Sequence, residues 1–261
     1  MSLNVVVCVK QIPDPADPGS LNDDFTLNRS GKLILDESDS YGVEMALQMV
    51  DNAGGGEVTL VSMAPNGETG GLRTALAMGA EKAVLVTDPE LAGAGSLDTA
   101  RTLAAAMGKA GDYDLIIAGV ESSDGYTGVV PQMLAGELGI PMVSFAKEVS
   151  VADGKLSVKR QTETGSQDVE STTPAVVSVT AGVVEPRYPS FKGIMAAKKK
   201  PVDEVSVSDL GIETATVGWS GAGQEIVAVE DAPAREAGEI VEDEGEGFAK
   251  IVAKLEELKV I

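Results

Sequence analysis

The stretch EVTLVSMAPNGETGGLRTALAMGAEKAVLV, residues 57–86, decides the fold. EVTLVSM (57–63) is a short, nearly continuous apolar run, the pattern of a strand buried on both faces. GGLRTALAMGA (70–80) is helical and is stopped by Gly79. AVLV (83–86) is a strand again. The same rhythm extends both ways. NVVVCV (4–9) is an earlier buried strand. In SYGVEMALQMV (40–50), Val43, Ala46, Leu47 and Val50 fall at helical spacing, with Asp39 or Ser40 as the cap. SLDTARTLAAAMGKAG (96–111) is a helix capped by Ser96, DLIIAG (114–119) a fourth strand, and TGVVPQMLAGELG (127–139) a helix beginning near Thr127. Strand alternating with helix across short joints predicts an α/β domain: a Rossmann-like parallel sheet covered on both faces, with right-handed crossovers.

After Pro141 the rhythm changes. FAKEVSV (145–151) and KLSVKRQTE (155–163) flank Asp153-Gly154, a strong hairpin signal. PAVVSVTAGVV (174–184) is a further strand. This antiparallel region is expected to extend the same sheet. Beyond Pro201 the chain, and above all 220–247, is rich in Gly, Glu and Ala with little periodicity, and it reads as an arm. The end, 247–261, is amphipathic, with Phe248, Ile251, Val252, Leu255 and Leu258 on one helical face. That face packs either on its own domain or on a partner. The expected organisation is an α/β domain over 1–211 and a C-terminal arm and helix over 212–261.

Composition excludes several function classes. With 20 Lys+Arg against 41 Asp+Glu the formal net charge is −21, so general nucleic-acid binding is disfavoured. The chain has no histidine, which removes Ser-His-Asp and Cys-His catalysis and histidine-ligated metals. Cys8, the single cysteine, lies in an apolar run and reads first as a small buried hydrophobe, second as a reactive thiol. A reducing, cytoplasmic compartment is expected. No signal peptide and no stretch long enough to enter a membrane are visible. GxxxxGK[ST] is absent, and no GxGxxG follows the first strand, so neither P-loop hydrolysis nor ordinary NAD binding is supported.

Ligands of open α/β sheets bind at the carboxyl ends of the strands, near the point where strand order reverses. The loops to inspect are therefore 10–19, 62–68 and GVESSDGYTG, residues 119–128. In the last, Gly119, Gly125 and Gly128 permit close backbone approach. Ser122, Ser123 and Thr127 offer hydroxyls, and free N–H groups at the following helix start favour an anion. A phosphate there needs no lysine. The competing reading is a plain capping loop.

One segment stands apart. EPRYPSFKGIMAAKKKP (185–201) gathers Arg187, Lys192 and Lys198, Lys199, Lys200 in an acidic chain, beside Tyr188, Phe191, Ile194 and Met195. VVVCVKQIPDP (5–15), RTALAMGAEKAVLV (73–86), GVESSDGYTG and, above all, 185–201 resemble the beta subunit of electron transfer flavoproteins, from the first strand to about residue 211. The resemblance implies an adenine-nucleotide-binding α/β fold in a heterodimer with an alpha subunit. FAD would lie mainly in the alpha subunit near the interface, and AMP, structural rather than redox-active, in this one. It places Cys8, Asp36, Asp39 and Met63 at the nucleotide, with Gly119, Ser122, Ser123, Asp124, Gly125, Thr127, Gly128, Val129 and Val130 forming the phosphate loop and helix start. The family's Asn-Pro pair is Asp36-Glu37 here. Asp14 or Pro15 would approach the flavin. Segment 185–201 would be the loop that grips partner dehydrogenases, with Phe191 where the family places a leucine, flanked by Tyr188, Ile194 and Met195. Lys198, Lys199 and Lys200 would steer acidic partners or form a solvated helix face.

The implied function is that of a soluble electron carrier, not an enzyme. It would accept electrons from acyl-CoA or other flavin dehydrogenases, as in fatty acid oxidation, and pass them to a quinone reductase. Two alternatives remain at this point. One is a bifurcating type with a second FAD in the AMP site, the other an adenylate-binding, universal-stress-type protein.

Overall fold

The computed structural model describes residues 2–234, 238–243 and 245–261. Residues 235–237 and 244, inside the expected arm, lie outside the described residues. The chain divides into two compact units, Met1–Ile226 and Val227–Ile261.

The first unit begins with β1 (Leu3–Cys8), the short strands β2 (Gln11–Pro13) and β3 (Leu33–Leu35), α1 (Glu37–Ala53) and β4 (Gly56–Met63). It continues with α2 (Gly70–Met78), β5 (Lys82–Val86), α3 (Ser96–Ala110), β6 (Leu115–Gly119) and α4 (Val130–Leu138). Then come β7 (Met142–Ala152), β8 (Lys155–Thr162), β9 (Gly165–Thr172), β10 (Ala175–Val179), α5 (Phe191–Ala197), β11 (Val202–Val205) and α6 (Gly218–Gly221). The nine-stranded sheet has the order β11-β5-β4-β1-β6-β10-β7-β8-β9. It is parallel from β11 to β7 and antiparallel from β7 to β9. β2 and β3 form a separate antiparallel ribbon.

Alternating side chains of the parallel strands feed two cores, which is why these strands read as unbroken apolar runs. Val5, Val7, Leu60, Leu115 and Ile117 pack with Val43, Leu72 and Leu76 of α1 and α2. Val6, Val61, Ile116 and Val176 pack with Leu103, Met107 and Leu134 of α3 and α4. Each such side chain contributes about 1.5–3 kcal/mol when fully buried. At the β7–β8 turn Asp153 and Gly154 both take positive φ, 52° and 75°, the conformation a two-residue hairpin turn requires.

Three helix starts differ from those read in the sequence. Asp36, not Asp39 or Ser40, caps α1, accepting the Ser38 amide at 3.0 Å. The N-cap of α3 is Gly95, with Ser96 already helical. α4 starts at Val130 rather than near Thr127, because Tyr126 and Gly128 hold positive φ and interrupt helical geometry. Beyond Pro201, β11 pairs in parallel with β5 and buries Val205, a strand too short and too charged to show alternation. Residues 212–226 belong to the first unit. There Val217 is buried in the second core and the Trp219 amide donates to the Ala92 carbonyl at 3.0 Å.

In the second unit, α7 (Gly247–Glu257) leaves Phe248, Ile251 and Val252 exposed, with Leu258 exposed just beyond it. No helix among the described residues is long and apolar enough to cross a membrane.

Candidate functional site

From β1 the chain moves to β4 on one side, then returns as β6 on the other, so β1 and β6 flank the switch point. At their carboxyl ends lie Val9 and Lys10, the first turn of α1, and the β6–α4 loop, residues 120–129. Gly119 is confined there. A Cβ on it would stand 3.0 Å from Asp39 Oδ1 and 3.2 Å from Ser38 Cβ, so a side chain would force the loop off α1.

The β6–α4 loop is braced twice. The buried Asp36 carboxylate accepts the Ser123 amide at 2.7 Å and its hydroxyl at 2.6 Å, besides capping α1. Its oxygens serve the protein, so Asp36 acts on the loop's shape. On the far side, the Asp124 carboxylate, 5% exposed, receives Lys10 Nζ at 2.7 Å on one oxygen and Arg29 Nη2 on the other. Lys10 Nζ also donates to Ser122 Oγ at 3.3 Å. Burial would raise the Asp124 pKa, but these two cations hold it down at about 2. Between the braces, among the described residues, no protein acceptor meets the amides of Gly125, Thr127 and Gly128. Val129 is exposed and Val130 opens α4. Pro131 at the second helical position removes one donor from that helix start.

The floor is less polar. Asp39 is buried and accepts the Lys10 amide at 2.6 Å. Burial, helped by the charge of Asp36, raises its pKa to about 8. The Cys8 thiol is pushed up to about 12, by burial first and by Asp39 second. It is therefore a protonated packing group at neutral pH, as its apolar context suggests. Met63 ends β4 and, like Cys8, packs partly buried against the second core. Asp14 and Pro15 lie in the excursion between β2 and β3, where Asp14 pairs with Lys32 at 2.7 Å.

An open hollow of about 540 Å³ occupies the other end of the sheet, lined by Val50, Asp51, Val58, Glu81 and Arg187 around the α1–β4 glycines. It adjoins the amino ends of the strands, away from the switch point where α/β sheets take ligands.

Segment 185–201 forms a projecting turn and α5. Arg187 is anchored, donating through Nε (2.7 Å) and Nη2 (3.1 Å) to the buried Glu44 carboxylate. Ser190 caps α5 by accepting the Gly193 amide at 3.0 Å. A Cβ on Gly193 would come within 2.6 Å of the Ala77 carbonyl oxygen, so glycine sets how closely α5 lies on α2. This leaves Tyr188 (92% exposed) and Phe191 (81%) in solvent, with Ile194 and Met195 half exposed beside them. The basic run divides. Lys198 and Lys199 are exposed, but Lys200 Nζ caps the end of α2, donating to the carbonyls of Leu76 (3.2 Å), Gly79 (3.3 Å) and Ala80 (2.6 Å). Lys200 is thus a helix cap, neither a steering charge nor a solvated face.

Sequence reading missed Lys10, Arg29 and Glu44. Each acts through a partner at least 95 positions away, 114 for Lys10–Asp124, 95 for Arg29–Asp124 and 143 for Glu44–Arg187, and no local pattern marks such pairs. Among the described residues no group of three His, Cys, Asp or Glu side chains could hold a metal.

The electron transfer flavoprotein domain family matches residues 24–210. The electron transfer flavoprotein subunit beta of Mycobacterium bovis is 42% identical over 264 residues, covering 99% of each chain. That of Clostridium acetobutylicum is 35% identical over 257 residues, 98% of each. The caffeyl-CoA reductase-Etf complex subunit CarD of Acetobacterium woodii is 31% identical over 262 residues, covering 99% of this chain and all of its own.

Proposed function

The chain belongs to the beta-subunit family of electron transfer flavoproteins, and from that premise we propose that it carries a structural AMP at the β6–α4 loop and covers one side of an FAD held mainly by an alpha subunit. Bound FAD supplies the redox chemistry, taking up electrons and releasing them. This chain breaks no bonds. Its own residues bind, orient and exclude water.

The observation that carries the reading is the doubly braced loop at the switch point. Its unmet amides at Gly125, Thr127 and Gly128 suit a phosphate. Cys8 and Met63 offer a half-buried surface to an adenine ring. Asp39, Ser122, Val129 and Val130 complete the nucleotide's surroundings, while Asp14 and Pro15 face the flavin. The adenylate-binding α/β domain, expected over 1–211 and including the 185–201 recognition loop, extends to Ile226, and the arm and helix of 227–261 dock on the alpha subunit. α7 supports the latter with its exposed apolar residues. Tyr188, Phe191, Ile194 and Met195 form the patch that captures acyl-CoA or related flavin dehydrogenases. Electrons then pass to a quinone reductase from a carrier that works in the cytoplasm.

The test is co-expression with an alpha subunit, a visible spectrum, and acid extraction followed by chromatography. One FAD and one AMP per heterodimer are expected. Two flavins and no adenylate would assign the site to a second FAD instead, the bifurcating arrangement. A colourless heterodimer would overturn the proposal.

A further inference from the structure

Lys10 lies two residues beyond the end of β1, and its ammonium reaches the β6–α4 loop at the switch point. Two of its three protons are directed to Asp124 Oδ1 and Ser122 Oγ. The side chain remains 41% exposed, and among the described residues no protein acceptor meets the third donor. The ammonium lies 3.9 Å from where a Cβ on Gly125 would stand, against the same backbone that carries the unmet amides. Asp124 is held from behind by Arg29, whose Nη1 also reaches the Gln11 carbonyl at 3.4 Å. A lysine is ordinarily a mobile point charge. Here a buried carboxylate fixes its direction, and an arginine fixes the carboxylate.

We propose that Lys10 is the cation of the phosphate subsite, aimed by Asp124, with Arg29 as the positioning residue that holds Asp124 in place. This rests on reading the β6–α4 loop as an adenylate site, and it departs from the expectation that a phosphate there needs no lysine. Asp36 cannot substitute for Asp124, since its oxygens are spent on Ser38 and Ser123. The ammonium donates one charge-assisted hydrogen bond to a phosphate oxygen, a geometry that a lysine point charge serves well.

The test uses the heterodimer stripped of nucleotide and compares binding of AMP with that of adenosine, which lacks the phosphate. Lys10→Met is expected to weaken AMP by about tenfold to a hundredfold while leaving adenosine within about twofold. Lys10→Arg, which keeps the charge, recovers most of the loss. Arg29→Gln produces a smaller loss confined to AMP, and Arg29→Lys restores it. Adenosine binding reports that each variant retains its fold. Equal losses for AMP and adenosine, or none for either, would overturn the assignment of Lys10 and leave the adenylate reading standing. Failure of the unaltered heterodimer to bind either compound would overturn both.

Discussion

Asp36 and Ser123 are 87 positions apart, yet the carboxylate of one accepts both the amide and the hydroxyl of the other, at 2.7 and 2.6 Å. One side chain thereby caps α1 and ties the β6–α4 loop to it. Asp36→Ala removes the cap and leaves the part-buried Ser123 donors without their partner. The expected cost is about 2 kcal/mol of stability, together with loss of co-purifying adenylate. Urea denaturation and nucleotide extraction check the two parts, and unchanged adenylate content would refute the loop's dependence on Asp36.

Phe191→Ala removes a side chain that is 81% exposed. Stability is expected to stay within about 0.5 kcal/mol of the parent, as for surface positions generally. Flavin reduction by a partner dehydrogenase is expected to slow by about tenfold, the effect of losing one aromatic anchor. Stopped-flow absorbance follows the reduction, with FAD content as the control. A rate unaltered by the substitution would remove Phe191 from the docking patch.

Arg187→Ala leaves Glu44 buried with Gln48 as its remaining side-chain donor, 2.8 Å away. Burial would raise the Glu44 pKa, but hydrogen bonds from Arg187 and Gln48 hold it below the ordinary carboxylate value. The stability this pair contributes is therefore present above about pH 4.3 and is lost as pH falls through the lowered folded value. Arg187 is partly exposed, so the expected destabilisation at pH 7 is about 2 kcal/mol, less than for a wholly buried pair. Urea midpoints at pH 7 and pH 3 measure it, and a deficit of equal size at both would argue against the charge pair.

Asp39 carries the opposite sign. Its folded pKa of about 8 lies above the ordinary value of about 3.9, so between these limits the folded state holds a proton that the unfolded state has lost. Stability from this group is complete below about pH 4 and declines as pH rises towards about 8. Asp39→Asn keeps an acceptor for the Lys10 amide and abolishes the titration. The variant is expected to gain at least about 1 kcal/mol more over the parent at pH 8 than at pH 4. A gain independent of pH would refute the protonated carboxyl.

Truncation after Ile226 leaves the first compact unit whole. Its thermal midpoint is expected to remain within about 3 °C of the full chain, while recovery of the alpha subunit in co-purification falls. Full recovery of heterodimer would show that α7 takes no part in docking.

Much of this molecule was legible in local pattern. Strands such as LIIAG (115–119) are apolar throughout because a covered parallel sheet buries both faces, and the Asp153-Gly154 turn announces itself by residue type. The glycine-rich loop and the aromatic pair at 188 and 191 were visible for the same reason: a backbone or surface requirement had been written into neighbouring positions. What local pattern could not reveal were β11, whose four residues are ordered by the edge of β5, and the polar side chains that set the candidate site. Nothing in the local pattern marks Asp36 as the brace of Ser123, Lys200 as the cap of α2, or Lys10 and Arg29 as partners of Asp124. Amphipathic periodicity records which face of a short segment meets the core, a constraint carried by adjacent residues. The partner of a buried charge is chosen by the packed chain, which alone brings positions a hundred residues apart within 3 Å.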